Sequence, residues 1–453
     1  MADRDAPTVP ADGGGRSAAP EKGGGRPAAS AAVAVVGAGY VGLTTAACLA
    51  RLGHRVTCTD VDESRITALQ RAEMPIHEPG LAELVRTGID GSRLSFACGS
   101  ADAAARADFV FLCVPTPSGP DGGTDLGCLE AAAAEIGPSL RPGTVVVNKS
   151  TAPAGTVALL ARVLGRADVS VASNPEFLRQ GSAVHDFLNP DRLVVGAADV
   201  AVAERVAGLY AGIDAPVLVT DPASAETVKY AANAFLATKL SFSNSVAALC
   251  EAVGADADDV LEGMGHDRRI GRDYLRPGPG WGGSCLPKDT RSLVVAASAA
   301  GYDFALLRSV VEANEAQFAR IVDKVARRVE LSGARVALLG LAFKAGTDDL
   351  RDSPALEIAR RLAGAGAAVH AYDPMIGACA ATEQAGVAVA DDAYAACDGA
   401  SALVVATEWD EFRRLDLDRL ASLMDELHVI DARNLLDRGE LERRGFTYSG
   451  VGV

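Results

Sequence analysis

The chain has 453 residues, of which 49% are hydrophobic and 23% charged. That length carries about three domains with sizeable cores, and the composition excludes wholesale disorder, a collagen-like fibre and a small disulfide scaffold. Acidic residues outnumber basic ones by 59 to 43, for a net charge of −16, which makes nucleic acid a poor partner.

Residues 1 to about 30 are rich in Ala, Gly, Pro and Ser and read as a flexible tail. The uncharged run 28–50 imitates a membrane span or leader peptide, but glycines at 37, 39 and 42 and the regular alternation beyond it argue against both. Residues 32–36 predict a strand, followed by Gly37-Ala38-Gly39-Tyr40-Val41-Gly42 and a helix to about 52. RVTCTD is a second strand ending at Asp60, and further strands are expected at 107–115, 144–148, 169–177 and 191–197, with helices between them. Apolar strands separated by helices predict a mostly parallel sheet covered on both faces.

From 223 the pattern changes. Residues 223–253 are Ala-rich with no internal Gly or Pro and predict one long helix, suited to a spine or a dimer surface; 289–300 and 304–330 predict two more. At 334 the strand–helix rhythm restarts, with a second strand ending at Asp373. Its opening turn, GLAFKAG, lacks the second and third glycines of a dinucleotide turn, so this unit is expected to bind something other than NAD. The expected architecture is α/β: two Rossmann-like three-layer domains (31–222 and 331–453) joined by a helical domain (223–330) with a long central helix.

GxGxxG directly after a strand and opening a helix permits a tight turn, close approach of a pyrophosphate and close helix–sheet packing. Asp60, 23 residues past Gly37, suits the ribose hydroxyls of NAD and repels the extra phosphate of NADP. Pro115-Thr116-Pro117 and Ser150-Thr151 follow strand ends, where ligands bind in open sheets. Thr151 either contacts water or nicotinamide, or caps the helix after Pro153. Nine dispersed cysteines without a CxxC pair read as a reduced, cytoplasmic protein, and six scattered histidines add no metal site.

The loop GPGWGGSCLPKD (278–289) is the most informative stretch. Cys285 just ahead of a helix N-terminus, with Lys288 nearby, is expected to have a depressed pKa and act as a nucleophile, while Asp289 caps the helix that Pro287 starts. A redox cofactor together with a thiol predicts two-step oxidation: alcohol to aldehyde, capture as a thiohemiacetal, oxidation to a thioester, then hydrolysis to an acid. Lys229 and Asn233, four residues apart on one helix face, suit stabilisation of a substrate oxygen, whereas for Lys239 solvated surface fits nearly as well as function. Glu176, just past a strand end, suits a base or the orientation of water.

The motifs GAGYVG, CVPTP, KSTAPAGT, NPEFLRQG, VKYAANAFLATKLSFSN, DRRIG, GPGWGGSCLPKD, GLAFKAGTDDLRDSP and DARN occur in this order over roughly 32–437. Together they resemble the UDP-glucose/GDP-mannose dehydrogenase family. The resemblance implies NAD-dependent, four-electron oxidation of the C6 alcohol of UDP-glucose to UDP-glucuronate, with GDP-mannose or a related nucleotide sugar as the alternative. It makes Cys285 the nucleophile, places Lys229, Asn233 and Asp289 around the C6 oxygen, and gives water and proton transfer to Thr151 and Glu176. Gly37, Gly39, Tyr40, Val41, Gly42 and Asp60 would hold NAD, with Arg65, Pro115, Thr116, Lys288 and Arg351 nearby. Phe177, Leu178 and Arg179 would border the sugar, and Tyr274, the Gly282 backbone, Phe343, Lys344 and Arg433 would contact the nucleotide sugar. Arg269 would reach the substrate of a second subunit, implying a homodimer.

One position departs from the family pattern. Gln180 stands where NPEFLREG has a second glutamate, so Glu176 is expected to carry the base role alone, with altered thioester hydrolysis. Two other readings, a non-catalytic NAD-binding scaffold and a one-step hydroxyacid-type dehydrogenase, leave Cys285 without a purpose. The NPEF form argues against an N-acetylated sugar.

Overall fold

The computed structural model describes residues 30–453, so the expected tail lies outside the described residues apart from Ser30. The first sheet contains β1 (Ala32–Val36), β2 (Arg55–Asp60), β3 (Leu94–Cys98), β4 (Phe109–Leu112), β5 (Val145–Asn148), β6 (Ser170–Ser173), β7 (Leu193–Ala197) and β8 (Val217–Thr220). Their spatial order is β3-β2-β1-β4-β5-β6-β7-β8, parallel throughout except between β6 and β7. The central strands FVFL and VVVN are buried at every position, as a sheet covered on both faces requires. The edge strand β3, LSFAC, was not anticipated; it is short and partly exposed, so it lacks the continuous apolar run that marks its neighbours.

The second sheet contains β9 (Arg335–Leu339), β10 (Ala368–Tyr372), β11 (Val387–Val389), β12 (Ala402–Val405), β13 (His428–Asp431) and β14 (Thr447–Ser449), in the order β11-β10-β9-β12-β13-β14. All its pairs are parallel. Its path, third-second-first-fourth-fifth-sixth, repeats that of the first six strands of sheet one. Both sheets therefore have a switch point beside their first strand, where the loops at the strand carboxyl ends part to leave a crevice.

Between the sheets runs the helix Pro222–Val253, 32 residues long and so about 48 Å. Asp221 caps its start, accepting from the Ser224 N–H, Pro222 occupies the first turn, and Gly254, at φ +75°, ends it in a left-handed conformation. Lys229, Asn233, Ala237 and Asn244 lie on its buried side, while Phe235, Phe242, Leu249 and Val253 remain more than half exposed. The helix Leu286–Ala299 packs against it, and Ala305–Ala326 continues from there. A short helix, Ala257–Gly265, was not anticipated. No helix among the described residues is long and apolar enough to cross a membrane.

The expected strand 169–177 stops at Ser173, leaving the NPEF segment in a loop. The start of the helix Thr156–Leu164 shows how the layers join. Thr151 does not cap it. Instead Glu226, on the long helix and 2% exposed, accepts from the Gly155 and Val157 N–H groups at 2.7 Å each. A carboxylate from one layer thus satisfies the free amides of another.

Candidate active site

A single cleft of about 2150 Å³ runs between the first sheet, the long helix and the second α/β domain. Its cofactor end is built by sterics. Gly37 has φ +98°, and a Cβ there would sit 2.6 Å from the Cys113 carbonyl oxygen; a Cβ on Gly42 would lie 1.8 Å from the Gly37 oxygen. A Cβ on Gly39 would meet nothing within 4 Å, because Gly39 faces the open cleft. Gly39 is also the N-cap of the helix Tyr40–Arg51, and no side chain caps that end. The arrangement is a cradle in which backbone N–H groups and the helix dipole favour an anion. Asp60 accepts from the Ala38 N–H at 2.8 Å and pairs with Arg65 at 3.2 Å, with Asp60 only 10% exposed. Pro115, Thr116 and Thr151 line the adjoining wall, where the Thr116 hydroxyl donates to the Thr151 carbonyl at 2.8 Å. These residues fit a dinucleotide.

The polar centre is two linked pairs. Lys229 Nζ lies 2.9 Å from Glu176 Oε1, the side chains being 5% and 7% exposed. One turn further along the helix, Asn233 donates to Asp289 Oδ2 at 2.6 Å. Lys288 Nζ approaches the other Asp289 oxygen to 2.7 Å, in a geometry too bent for a hydrogen bond, so both atoms are buried without a hydrogen-bond partner. Burial by itself would push the Glu176 carboxyl up, but Lys229, the Leu178 N–H and Lys149 together outweigh it and the group is held below the ordinary glutamate range. Burial would likewise lower the Lys229 amine; Glu176, Cys285 and Asp289 together raise it instead. The pair is ionised.

Cys285 occupies the N-cap position of Leu286–Ala299 and opens onto the cleft. Its thiol is not depressed as expected. The enclosing walls push it up and Glu176 adds to this, while Lys229 pulls the other way without prevailing. The resting group is therefore a neutral thiol beside an ionised carboxylate. Asp289 is also not a cap. The helix begins at Leu286, so Asp289 lies inside it and its carboxylate is free for Asn233.

The glycines of this loop serve close packing. A Cβ on Gly280, whose φ is +125°, would lie 2.4 Å from the Phe318 ring; one on Gly282, 2.0 Å from the Asp352 oxygen; one on Gly283, 2.8 Å from the Phe343 ring. Asn314 bonds both ways to the Trp281 backbone, and Trp281 donates to Ser241 on the long helix. The composition reads as flexible; the packing makes the loop a rigid joint between helices and second domain. Across from it, Arg433 donates to the carbonyls of Ala406 and Phe343 and pairs with Glu408 at 3.0 Å. Arg351 is held by Asp349 at 2.6 Å, and Arg179 by Asp186 at 2.7 Å.

Comparison with known proteins decides the family. The description "UDP-glucose/GDP-mannose dehydrogenase family" matches as NAD-binding domain over residues 31–214, central domain over 223–316 and UDP-binding domain over 337–438. The chain belongs to the UDP-glucose/GDP-mannose dehydrogenase family. It is 43% identical to the UDP-glucose 6-dehydrogenase TuaD of Bacillus subtilis over 93% of both chains. Among solved structures it resembles a UDP-glucose dehydrogenase from Pyrobaculum islandicum, with TM-score 0.87, 40% identity and coverage of 94% of this chain and 99% of that one. It also resembles a UDP-D-ManNAc dehydrogenase from Pyrococcus horikoshii, with TM-score 0.83, 28% identity and coverage of 93% and 99%.

This member of the UDP-glucose/GDP-mannose dehydrogenase family, an NAD-dependent oxidoreductase, brings nearly all the expected site residues into one cleft. Gly37, Gly39, Tyr40, Val41, Asp60, Arg65, Pro115, Thr116, Thr151, Glu176, Phe177, Leu178, Arg179, Lys229, Asn233, Tyr274, Gly282, Cys285, Lys288, Phe343, Lys344, Arg351 and Arg433 all line it. Gly42 lies behind the turn and Asp289 behind Asn233. Arg269 is outside the cleft; its side chain is 89% exposed and pairs with Asp267. The second sheet has its own counterpart of Asp60. Asp373, 3% exposed, accepts from Leu341 N–H, Ala342 N–H and the Trp409 indole, so its carboxylate is spent inside the protein.

Two residues escaped the sequence reading. Lys149, 3% exposed at the end of β5, donates to Asn174 Oδ1 at 3.1 Å and the Tyr210 hydroxyl at 3.3 Å, and burial pushes its amine down to about 8. A lysine closing the apolar run VVVNK was the available signal. Glu78 accepts from Gly181 N–H, Ala183 N–H and the Tyr40 hydroxyl, tying the cofactor turn to the loop after Glu176; nothing local in the sequence marks it.

Proposed function

We propose that the chain oxidises UDP-glucose at C6 to UDP-glucuronate, with two molecules of NAD and Cys285 as nucleophile. One observation carries the reading: the thiol, the Lys229–Glu176 and Asn233–Asp289 pairs, and the glycine cradle with Asp60 line or border the same cleft. Asp60 supports NAD over NADP. UDP-glucose as the sugar is supported by 43% and 40% identity to proteins named for it, against 28% to the one named for an N-acetylated sugar.

NAD held by the Gly37–Gly42 cradle and Asp60 would supply the acceptor for the hydride that leaves C6. Lys229 and the Asn233 amide donate to the C6 oxygen as it becomes a carbonyl, and ionised Glu176 lies beside them to take up the alcohol proton, directly or through water. The Cys285 thiol then adds across the aldehyde: a carbon–sulfur bond forms and the thiol proton ends on oxygen. A neutral thiol is consistent with this order, because no thiolate has to persist before the carbonyl exists. A second hydride and the hydroxyl proton leave, giving a thioester. Water supplies hydroxyl to the acyl carbon, the carbon–sulfur bond breaks and sulfur recovers its proton. One alcohol, one water and two NAD+ would give one carboxylate, two NADH and three protons. Phe343, Lys344 and Arg433 on the second domain face the remainder of the substrate, with Lys344 and Arg433 offering charge to a diphosphate.

Counting NADH against UDP-glucose, GDP-mannose and UDP-N-acetylmannosamine tests this. Two NADH per UDP-glucose are expected, with kcat/KM at least about tenfold above the other sugars, a difference of roughly 1.4 kcal/mol. One NADH per sugar, or none, refutes the chemistry; a better rate with another sugar refutes the substrate.

The assembly follows from the long helix. Phe235, Phe242 and Leu249 recur every seven residues on its exposed face, at 64%, 51% and 60% exposure, a stripe that a second copy would bury. We infer a homodimer across it, which would also give Arg269 a neighbour to reach. Phe242→Glu should shift sedimentation from two chains to one; a native chain that sediments as a monomer at micromolar concentration overturns the inference.

A further inference from the structure

Gln180 is where this chain departs from the family pattern, and its surroundings give the departure a purpose. Its side-chain amide donates to Asp349 Oδ2 at 2.9 Å and accepts from the Thr347 hydroxyl at 3.2 Å, while its backbone carbonyl accepts from Lys344 Nζ at 2.5 Å. All three partners sit in one loop of the second domain, 164 to 169 residues away in sequence. On its other side the segment is fastened to the first domain. The Gly181 N–H donates to Glu78 at 2.8 Å and to the Tyr40 hydroxyl at 3.1 Å, and Arg179 pairs with Asp186. Both ends of the amide are thus engaged across the cleft.

The donor–acceptor logic admits an amide and disfavours an ionised carboxylate. Asp349 also holds Arg351 through its backbone N–H, Nε and Nη2, at 3.0, 2.8 and 2.6 Å. An ionised carboxylate can only accept, so its neighbour at 2.9 Å must donate. Burial would raise the Asp349 carboxyl, but Arg351 and Gln180 hold it below the usual range, so it stays ionised through neutral pH. A glutamate at 180 would set two acceptors against each other unless it carried a proton. The other charges around the segment are already engaged: Lys344 on the Gln180 carbonyl, Arg351 on Asp349, Arg179 on Asp186, and Glu78 on Gly181 and Ala183.

We propose that Gln180 is a positioning residue whose uncharged amide latches the 344–349 loop of the second domain onto the 176–181 segment, tying the second domain across the cleft beside its polar centre. The latch itself rests on the domain contact; its effect on turnover rests on the nucleotide-sugar reading above.

Hydrogen–deuterium exchange on the full chain tests it, comparing native protein with Gln180→Glu at pH 8.5. In Gln180→Glu, peptides covering 178–183 and 343–350 should exchange on the order of tenfold faster, because the new carboxylate is ionised there. Adding Asp349→Asn should restore protection at pH 8.5, because the donor and acceptor then simply change places. KM for UDP-glucose should rise on the order of tenfold at pH 8.5 with a smaller change in kcat. Native-like protection of Gln180→Glu at pH 8.5, or failure of Asp349→Asn to rescue it, overturns the latch. If native protein forms no NADH from UDP-glucose, the proposed substrate falls while the exchange data still decide the latch.

Discussion

Replacing Cys285 with alanine should cut acid formation by at least about a thousandfold, because removing a covalent nucleophile eliminates a reaction path where a binding contact merely weakens one. The stoichiometry is the sharper readout. Without sulfur the first hydride can still leave the alcohol, since Lys229 and Asn233 are untouched, but the aldehyde has no thiol to capture it. NADH per sugar should fall from two to at most one, with aldehyde or its hydrate as the product. The fold should be indifferent. The thiol's hydrogen-bond neighbour is the Ser284 hydroxyl, at 3.6 Å, so a stability change within about 0.5 kcal/mol is expected. A stable Cys285→Ala protein that makes full acid at the native rate would end the covalent reading.

The second large effect is on stability. Lys229→Met removes an ammonium 2.9 Å from Glu176 and leaves that carboxylate 7% exposed with no counter-charge of the same quality. Breaking one side of such a pair costs about 3–5 kcal/mol, readable as a lower denaturant midpoint. The pH dependence gives an internal check. In native protein Glu176 is held below its ordinary range, so its contribution is present at neutral pH and is lost as pH falls through the depressed folded value. In the variant burial acts unopposed by Lys229 and lifts the carboxyl above its unfolded value, so the variant's deficit should grow as pH rises from acid toward neutral. The native-minus-variant difference should therefore be largest near pH 7 and shrink near pH 4. A difference independent of pH would mean that the loss arises from packing and not from charge.

How far the site could be read in advance follows the range of the interactions. The glycine cradle and Asp60 were readable because their logic is local: a strand, a turn in which a Cβ would strike the Cys113 carbonyl, and a carboxylate at the end of the next strand. The location of Cys285 was readable for the same reason. Its protonation state was not, because that depends on Glu176 and Lys229, brought beside it by the fold from 109 and 56 residues away. Asp289 was misassigned for a smaller reason. Shifting the helix start by three residues, from 289 to Leu286, turns a cap into an interior carboxylate available to Asn233. Thr151 lost its capping alternative to Glu226, which belongs to another layer and carries no local mark. The repeated strand path of the second sheet was visible as rhythm, but only the fold shows Asp373 occupied by the Trp409 indole and two backbone amides.

The joint formed by Gly280, Gly282 and Gly283 also bears on adaptation. Each of these positions rejects even a methyl group, because an aromatic ring or a backbone oxygen already fills the space. Single substitutions cannot reshape this wall one tolerated step at a time. A lineage acquiring a taste for a different sugar would have to work on the facing side, at Phe177, Leu178, Arg179 or the neighbourhood of Lys344, so the machinery that breaks bonds stays sheltered from drift while the surface that chooses among substrates remains free to wander.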